Sequence, residues 1–138
     1  MGFKVVHPTF KNKPIIVEML LSHQSSLIEC DAYYRFLHDT YIGPPFPSIK
    51  ELLSPGGKYY DVCLFNSRNP PGTYYEYTNY NFAIAATILE RVSGQRFDLY
   101  THNNIFGPLN MSSTSYKRED FLNRPNDISV LYRTNSKK

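Results

Sequence analysis

The chain has 138 residues, 41% of them hydrophobic and 15% aromatic, enough to bury the core of one ordinary domain. Its formal net charge is only +3, and apart from Lys137-Lys138 the basic residues are scattered, which argues against nucleic acid as a partner. No apolar run reaches the roughly 18 residues of a spanning helix and no signal-peptide core follows Met1-Gly2-Phe3-Lys4, so the chain as written is expected to be cytoplasmic, with no membrane partner.

In chain order, Lys13-Pro14-Ile15 reads as extended. Val17, Leu20 and Leu21 then stand at i, i+3 and i+4, which predicts a short amphipathic helix ending near His23. Gln24-Ser25-Ser26 breaks it, and residues 32–40 predict a second helix with Tyr33, Phe36 and Leu37 on one side, ended by Gly43-Pro44-Pro45-Phe46-Pro47. Ser48 followed by Glu51, ahead of Leu52 and Leu53, has capping-box spacing, in which each residue satisfies an orphan amide of the first helical turn. Pro55-Gly56-Gly57 keeps that helix brief. Residues 59–65 are weakly strand-like, and 66–72, with two prolines and a glycine, read as a loop. Asn79 is placed to cap the clearest helix, which runs to Ser93 with Phe82, Ala85, Ala86, Leu89 and Val92 on one face and Gly94 as its stop. A last helix is expected over 97–105, leading into Gly107-Pro108; the remainder is mixed and polar.

Isolated chemical signals are weak. Cys30 and Cys63 could form one disulfide, but in a chain without an export signal two buried thiols are the expectation, and nothing near either supports a thiol nucleophile. His7, His23, His38 and His102 are dispersed, with no ligand pairing at i+2 or i+4, so neither a metal site nor a cofactor is expected. Asn110-Met111-Ser112 fits a glycosylation acceptor, which matters only in a secreted protein. The absence of G-x-S-x-G disfavours an α/β-hydrolase.

Three stretches carry more. Ile16-Val17-Glu18-Met19-Leu20-Leu21-Ser22-His23-Gln24-Ser25-Ser26-Leu27 is similar to I-T-I-R-x-L-L-T-H-T-S-G-L. Pro71-Gly72-Thr73-Tyr74-Tyr75-Glu76-Tyr77-Thr78-Asn79-Tyr80-Asn81-Phe82 resembles P-G-x-x-F-x-Y-S-N-x-G-Y. Ile88, Glu90-Arg91-Val92-Ser93-Gly94 and Ile105-Phe106-Gly107-Pro108-Leu109-Asn110-Met111-Ser112-Ser113-Thr114 follow I-x-E-x-V-S-G and I-F-x-P-L-G-M-x-x-T. These are patterns of the serine β-lactamase and penicillin-binding-protein family, in its class C-like esterase and peptidase branch, and the match covers about residues 13–116. Tyr-x-Asn alone would be worthless; its place six residues after Pro71, before an apolar helix ending in Val-Ser-Gly, makes it specific. Ser26, Asn81 and Asn110 replace family glycines, and asparagine tolerates a positive φ better than serine does.

The resemblance implies an α+β chain: a single partial domain over residues 1–138 with a partial β-lactamase/DD-peptidase-like fold, mostly its helical lobe with little strand. It gives Tyr77 the role of the proton-transfer tyrosine and Asn79 that of the side chain bonding the substrate amide or the lysine; His23 looks structural, anchoring the loop after its helix. The family's nucleophile is the serine of S-x-x-K. No serine here has lysine three residues later: Ser93 meets Arg96 and Ser115 meets Arg118, and a guanidinium cannot accept the serine proton. The K-T-G or H-x-G motif is missing too, imitated only loosely by Arg133-Thr134-Asn135. The family places S-x-x-K well upstream of the first stretch, so its absence reads as truncation. A tyrosine becomes a base near neutrality only beside cationic lysines, so Tyr77 is expected to keep its proton and stay idle. The expectation is therefore a fragment of a serine hydrolase whose complete parent cleaves a small-molecule amide or ester through an acyl-serine intermediate. The fragment is inactive alone and prone to self-association through uncovered apolar surface. The alternative is a non-catalytic truncated paralogue that serves as a binding module.

Overall fold

The structure is a computed structural model that describes residues 2–124, 126, 128–130 and 132. It forms two compact units, Met1–Gly94 and Gln95–Lys138. Arg133-Thr134-Asn135 lies outside the described residues.

The first unit holds helices α1 (Val17–Leu21), α2 (Asp31–Ile42), α3 (Ile49–Leu53) and α4 (Asn79–Ser93), with a 3₁₀ turn at Val62–Leu64 before the long loop into α4. Its core is Leu20, Leu27, Ala32, Tyr33, Leu52, Leu53, Tyr59, Leu64, Phe65, Tyr80 and Ile84. Leu52, Leu53 and Leu64 are almost wholly removed from water, a burial that stabilises by about 1.5–3 kcal/mol per side chain.

Each helix follows from local chemistry, with corrections. In α1, Leu20 is buried, but Val17 and Leu21 are exposed: a single five-residue turn presents only one apolar position fully inward. α2 buries Ala32 and Tyr33 and packs Phe36 and Leu37 against the core, the expected side, and ends at Gly43. At α3 the Glu51 carboxylate accepts from the Ser48 backbone N–H at 2.8 Å and the Ser48 hydroxyl at 3.1 Å, so the expected cap forms at least through its glutamate half.

α4 departs from expectation on two points. Its N-cap is Thr78, in extended conformation, and Asn79 is the first helical residue. Tyr80, Asn81 and Ile84 face inward, with Ile88 packed against the core, whereas Phe82 is 52% and Val92 82% exposed. The helix has apolar residues on two sides, and the hydrogen bonds of Tyr80 and Asn81 select which side goes in. Gly94 ends it at φ 69°, a left-handed conformation that costs glycine little.

The weakly strand-like reading of 59–65 gives way to the 3₁₀ turn. Asp61 starts that turn by accepting the Cys63 N–H at 2.9 Å, which diverts a donor from any ladder. Among the described residues, β pairing is the single antiparallel bridge between Leu27 and Phe65. Beside that bridge the Ile28 N–H donates to the Leu64 carbonyl at 2.9 Å. The two segments thereby approach closely enough for Cys30 and Cys63 to form a disulfide, with Cα atoms 6.1 Å apart, and the expectation of two free thiols is overturned. Sequence could weigh only compartment; the pairing of segments 33 residues apart is a tertiary event.

In the second unit, α5 (Phe97–Thr101) runs on into a π-helical turn at His102–Phe106, and a 3₁₀ turn spans Arg118–Phe121. The Tyr116 ring packs between Phe97 and Phe106, at 5.4 and 5.7 Å between centroids. Asn110 has φ 53°, the conformation expected where the family has glycine.

Candidate functional site

The site rests on a zipped pair of loops in the first unit. Residues 23–28 run between 64–66 and 72–76: His23 and Gln24 carbonyls accept from Glu76 and Gly72 N–H, each at 2.8 Å, and the Ser26 carbonyl from Asn66 N–H at 2.8 Å. Gly72 sits at φ 85°, and a Cβ there would meet the Met19 methyl at 2.9 Å, which explains the Pro-Gly turn. The Ser-His-Gln-Ser-Ser stretch is therefore the bed on which the Tyr-Thr-Asn loop lies.

Its side chains make a directed relay. Ser25 Oγ accepts from the Leu27 N–H at 3.2 Å and donates to Asn81 Oδ1 at 2.7 Å. That leaves Asn81 Nδ2 to donate to His23 Nδ1 at 3.2 Å, placing the histidine's proton on Nε2. All three residues are buried, so Asn81, a family glycine position, is a helical polar clamp and not a positive-φ residue. Ser26 does take positive φ, at 65°, and so does His23, at 55°. The aromatic rings of Tyr77, Phe82 and Tyr75 surround the His23 imidazole at 4.5, 5.3 and 5.9 Å.

Tyr77 and Asn79 are brought together. The exposed Tyr77 hydroxyl donates to Asn79 Oδ1 at 3.1 Å, at the N-terminus of α4. Glu29, which no motif singled out, is the third member. Its Oε1 accepts from the Asn79 backbone N–H at 2.7 Å, from Asn79 Nδ2 at 2.8 Å and from the Thr78 hydroxyl at 3.3 Å, and its Oε2 accepts from the Tyr34 hydroxyl at 3.3 Å. An acidic residue two positions after the Ser-Ser-Leu run was its only sequence signal.

Other groups near the site serve structure. The Tyr80 hydroxyl lies 2.8 Å from the Ile28 carbonyl and 2.9 Å from that of Leu64, and burial holds its pKa well above the ordinary phenol value. Tyr33 stacks on Tyr80 and is pushed up to about 12, by burial first and the Glu29 charge second. Neither is a proton carrier near neutrality.

One hydroxyl–imidazole pair merits a test as a nucleophile. His7 Nε2 lies 3.1 Å from Ser26 Oγ, and both residues are buried. However, His7 Nδ1 accepts from the Thr9 and Phe10 N–H groups, at 3.1 and 3.0 Å, so Nε2 carries the proton and donates. The Ser26 hydroxyl in turn donates to the Asn69 carbonyl at 2.5 Å. The polarity is opposite to that of a serine activated by a histidine base. Among the described residues, no group of three or more His, Cys, Asp or Glu gathers as metal ligands, and no helix is long and apolar enough to cross a membrane.

The family model described as Beta-lactamase matches residues 6–126, a longer span than the motifs alone cover. No solved structure matches the chain. With the motif order and the family match over residues 6–126 in agreement, the chain belongs to the β-lactamase family.

Proposed function

We propose that these residues supply the Tyr-x-Asn element to the acyl-transfer site of a serine hydrolase that cleaves a small-molecule amide or ester. The chain corresponds on this reading to much of the helical lobe of a β-lactamase/DD-peptidase-like fold, and the nucleophilic serine and its lysine lie outside the 138 residues. One observation carries the reading. Tyr77 and Asn79 are hydrogen-bonded neighbours on an exposed loop, at the start of a helix whose next residues, Tyr80 and Asn81, are locked into the core.

In that reaction the serine hydroxyl loses its proton as its oxygen bonds to the substrate carbonyl carbon. The bond to the leaving amine or alcohol breaks, and water then releases the acyl group. On this reading the Tyr77 phenol passes the proton, and the Asn79 carboxamide bonds the substrate's amide or the lysine. The hydroxyls at hand, such as Ser25 and Ser26, are buried and already committed as donors. No serine within the chain has a lysine three residues later, so on this reading the 138 residues alone are inactive. A second reading, a non-catalytic binding surface, is favoured by the exposure of Tyr75, Tyr77 and Phe82 around His23.

Purified chain is expected to hydrolyse neither nitrocefin nor p-nitrophenyl acetate above background, and to form no covalent adduct with a penicillin or a fluorophosphonate. Turnover abolished by Tyr77→Phe, or any such adduct, would overturn the inactivity. Sequencing the transcript on both sides separates the two readings: S-x-x-K in frame upstream supports the hydrolase, and its absence from the complete reading frame leaves the binding surface.

A further inference from the structure

The geometry points to Glu29 as the positioning residue of the Tyr77–Asn79 pair, the group that fixes which end of the Asn79 carboxamide faces the phenol. This rests on the acyl-transfer reading for its purpose, though not for its test.

A carboxamide has one accepting and one donating end, and rotation by half a turn exchanges them at little intrinsic cost. In this site the exchange is blocked by charge. Glu29 Oε1 takes Asn79 Nδ2 at 2.8 Å, and the flipped amide would instead press its oxygen against a carboxylate. With Nδ2 committed, Oδ1 faces the Tyr77 hydroxyl and receives its proton at 3.1 Å. The phenol's hydrogen is thus held on Asn79 Oδ1, and its lone pairs are left toward solvent, free to accept a hydrogen bond from an incoming hydroxyl.

The same carboxylate oxygen holds the loop in place. It accepts the Asn79 backbone N–H at 2.7 Å, while Thr78, the N-cap residue of α4, makes no side-chain cap bond. Glu29 therefore caps a helix 50 residues away in sequence and meets the positive end of a helix dipole. Its own placement does not depend on α4 alone. The Tyr34 hydroxyl of α2 bonds Oε2 at 3.3 Å. The backbone on one side carries the Ile28–Leu64 hydrogen bond, and the next residue on the other is Cys30, tied to Cys63. A half-buried carboxylate held from three directions, with two of its donors on one asparagine, is a device for setting that asparagine's orientation.

A plain helix cap would use only the backbone N–H, and the two roles part in solution. The full 138-residue chain is labelled with ¹⁵N in asparagine and leucine and ¹³C in tyrosine rings, with Asn79 and Tyr77 assigned from Asn79→Ala and Tyr77→Phe and the Leu52 and Leu64 amides from conservative variants at those positions. In the parent chain the Asn79 side-chain NH₂ exchanges slowly. In Glu29→Ala its exchange accelerates roughly tenfold or more, as for a lost hydrogen bond to a charged group. The Tyr77 ring carbon bearing the hydroxyl moves as it does in Asn79→Ala, and Leu52 and Leu64 backbone amides keep their protection. Glu29→Gln, which retains an acceptor without the charge, recovers only part of the Asn79 protection. In the Asn79→Ala background, Glu29→Ala adds no further shift at Tyr77. The inference is overturned if Glu29→Ala leaves the Asn79 NH₂ or Tyr77 unmoved, or if Glu29→Gln also strips protection from Leu52 and Leu64. None of these readouts involves turnover, so failure here is separate from failure of the acyl-transfer reading, which the adduct and transcript experiments decide.

Discussion

Removing the Cys30–Cys63 crosslink is the most informative perturbation of the fold. The bridge spans 33 residues of chain, encloses α2 and α3, and ends within the turn at Val62–Leu64. In the chain-entropy account, closing a loop of that length restricts the unfolded chain by about 12.5 cal/mol/K, or about 3.7 kcal/mol at 25 °C. That is a large share of the ~5–15 kcal/mol by which domains are usually stable. For a unit the size of Met1–Gly94, each kcal/mol displaces Tm by roughly 4–8 °C, so the loss should lower Tm by about 15–30 °C. The assay compares oxidised chain with the Cys30→Ala/Cys63→Ala double variant by urea titration and by calorimetry. Thiol titration of the unfolded, unreduced protein should find no free thiol. Two titrating thiols, or a double variant within about 1 kcal/mol of the parent, would refute the reasoning, because loop entropy of this size can be masked only by strain or by a structured unfolded state.

Stability should also respond to acid through His7. Burial lowers its pKa below the ordinary 6.5, so the unfolded chain binds the proton first as pH falls. The contribution is flat above about pH 6.5 and is lost progressively below it, until the folded pKa is passed. Denaturation midpoints from pH 7.5 to 5 should fall in the parent and lose this slope in His7→Gln; equal slopes would remove His7 as the cause. Tyr80→Phe leaves the Ile28 and Leu64 carbonyls without the phenol donor and should cost about 1–3 kcal/mol in urea titration, and a neutral effect would show that water or relaxation replaces the bond. Leu64→Ala empties a fully buried site and should cost about 2–5 kcal/mol, whereas less than 1 would mean that the site collapses freely. The exposed Phe82, Val92 and Leu21 should make the 138-residue chain associate in sedimentation experiments, and a clean monomer at high concentration would count against it.

What the sequence determined by itself was local or inherited: the capping pair Ser48 and Glu51, the stop at Gly94, the loop over 66–72, and the motif order that marks the family. These survive because they rest on nearest-neighbour chemistry or on family spacing, neither of which needs the rest of the molecule. The tertiary structure alone decided which side of α4 goes inward, since Phe82, Ala85 and Leu89 form as good an apolar stripe as Tyr80, Ile84 and Ile88. The choice was made by Asn81 meeting Ser25 and His23, residues more than fifty positions away. It likewise turned a weak strand into a turn, joined two cysteines, and brought Glu29 under Asn79. Hydrogen bonds and crosslinks between distant residues leave no periodicity in the chain, so they become visible only once the loops are laid side by side.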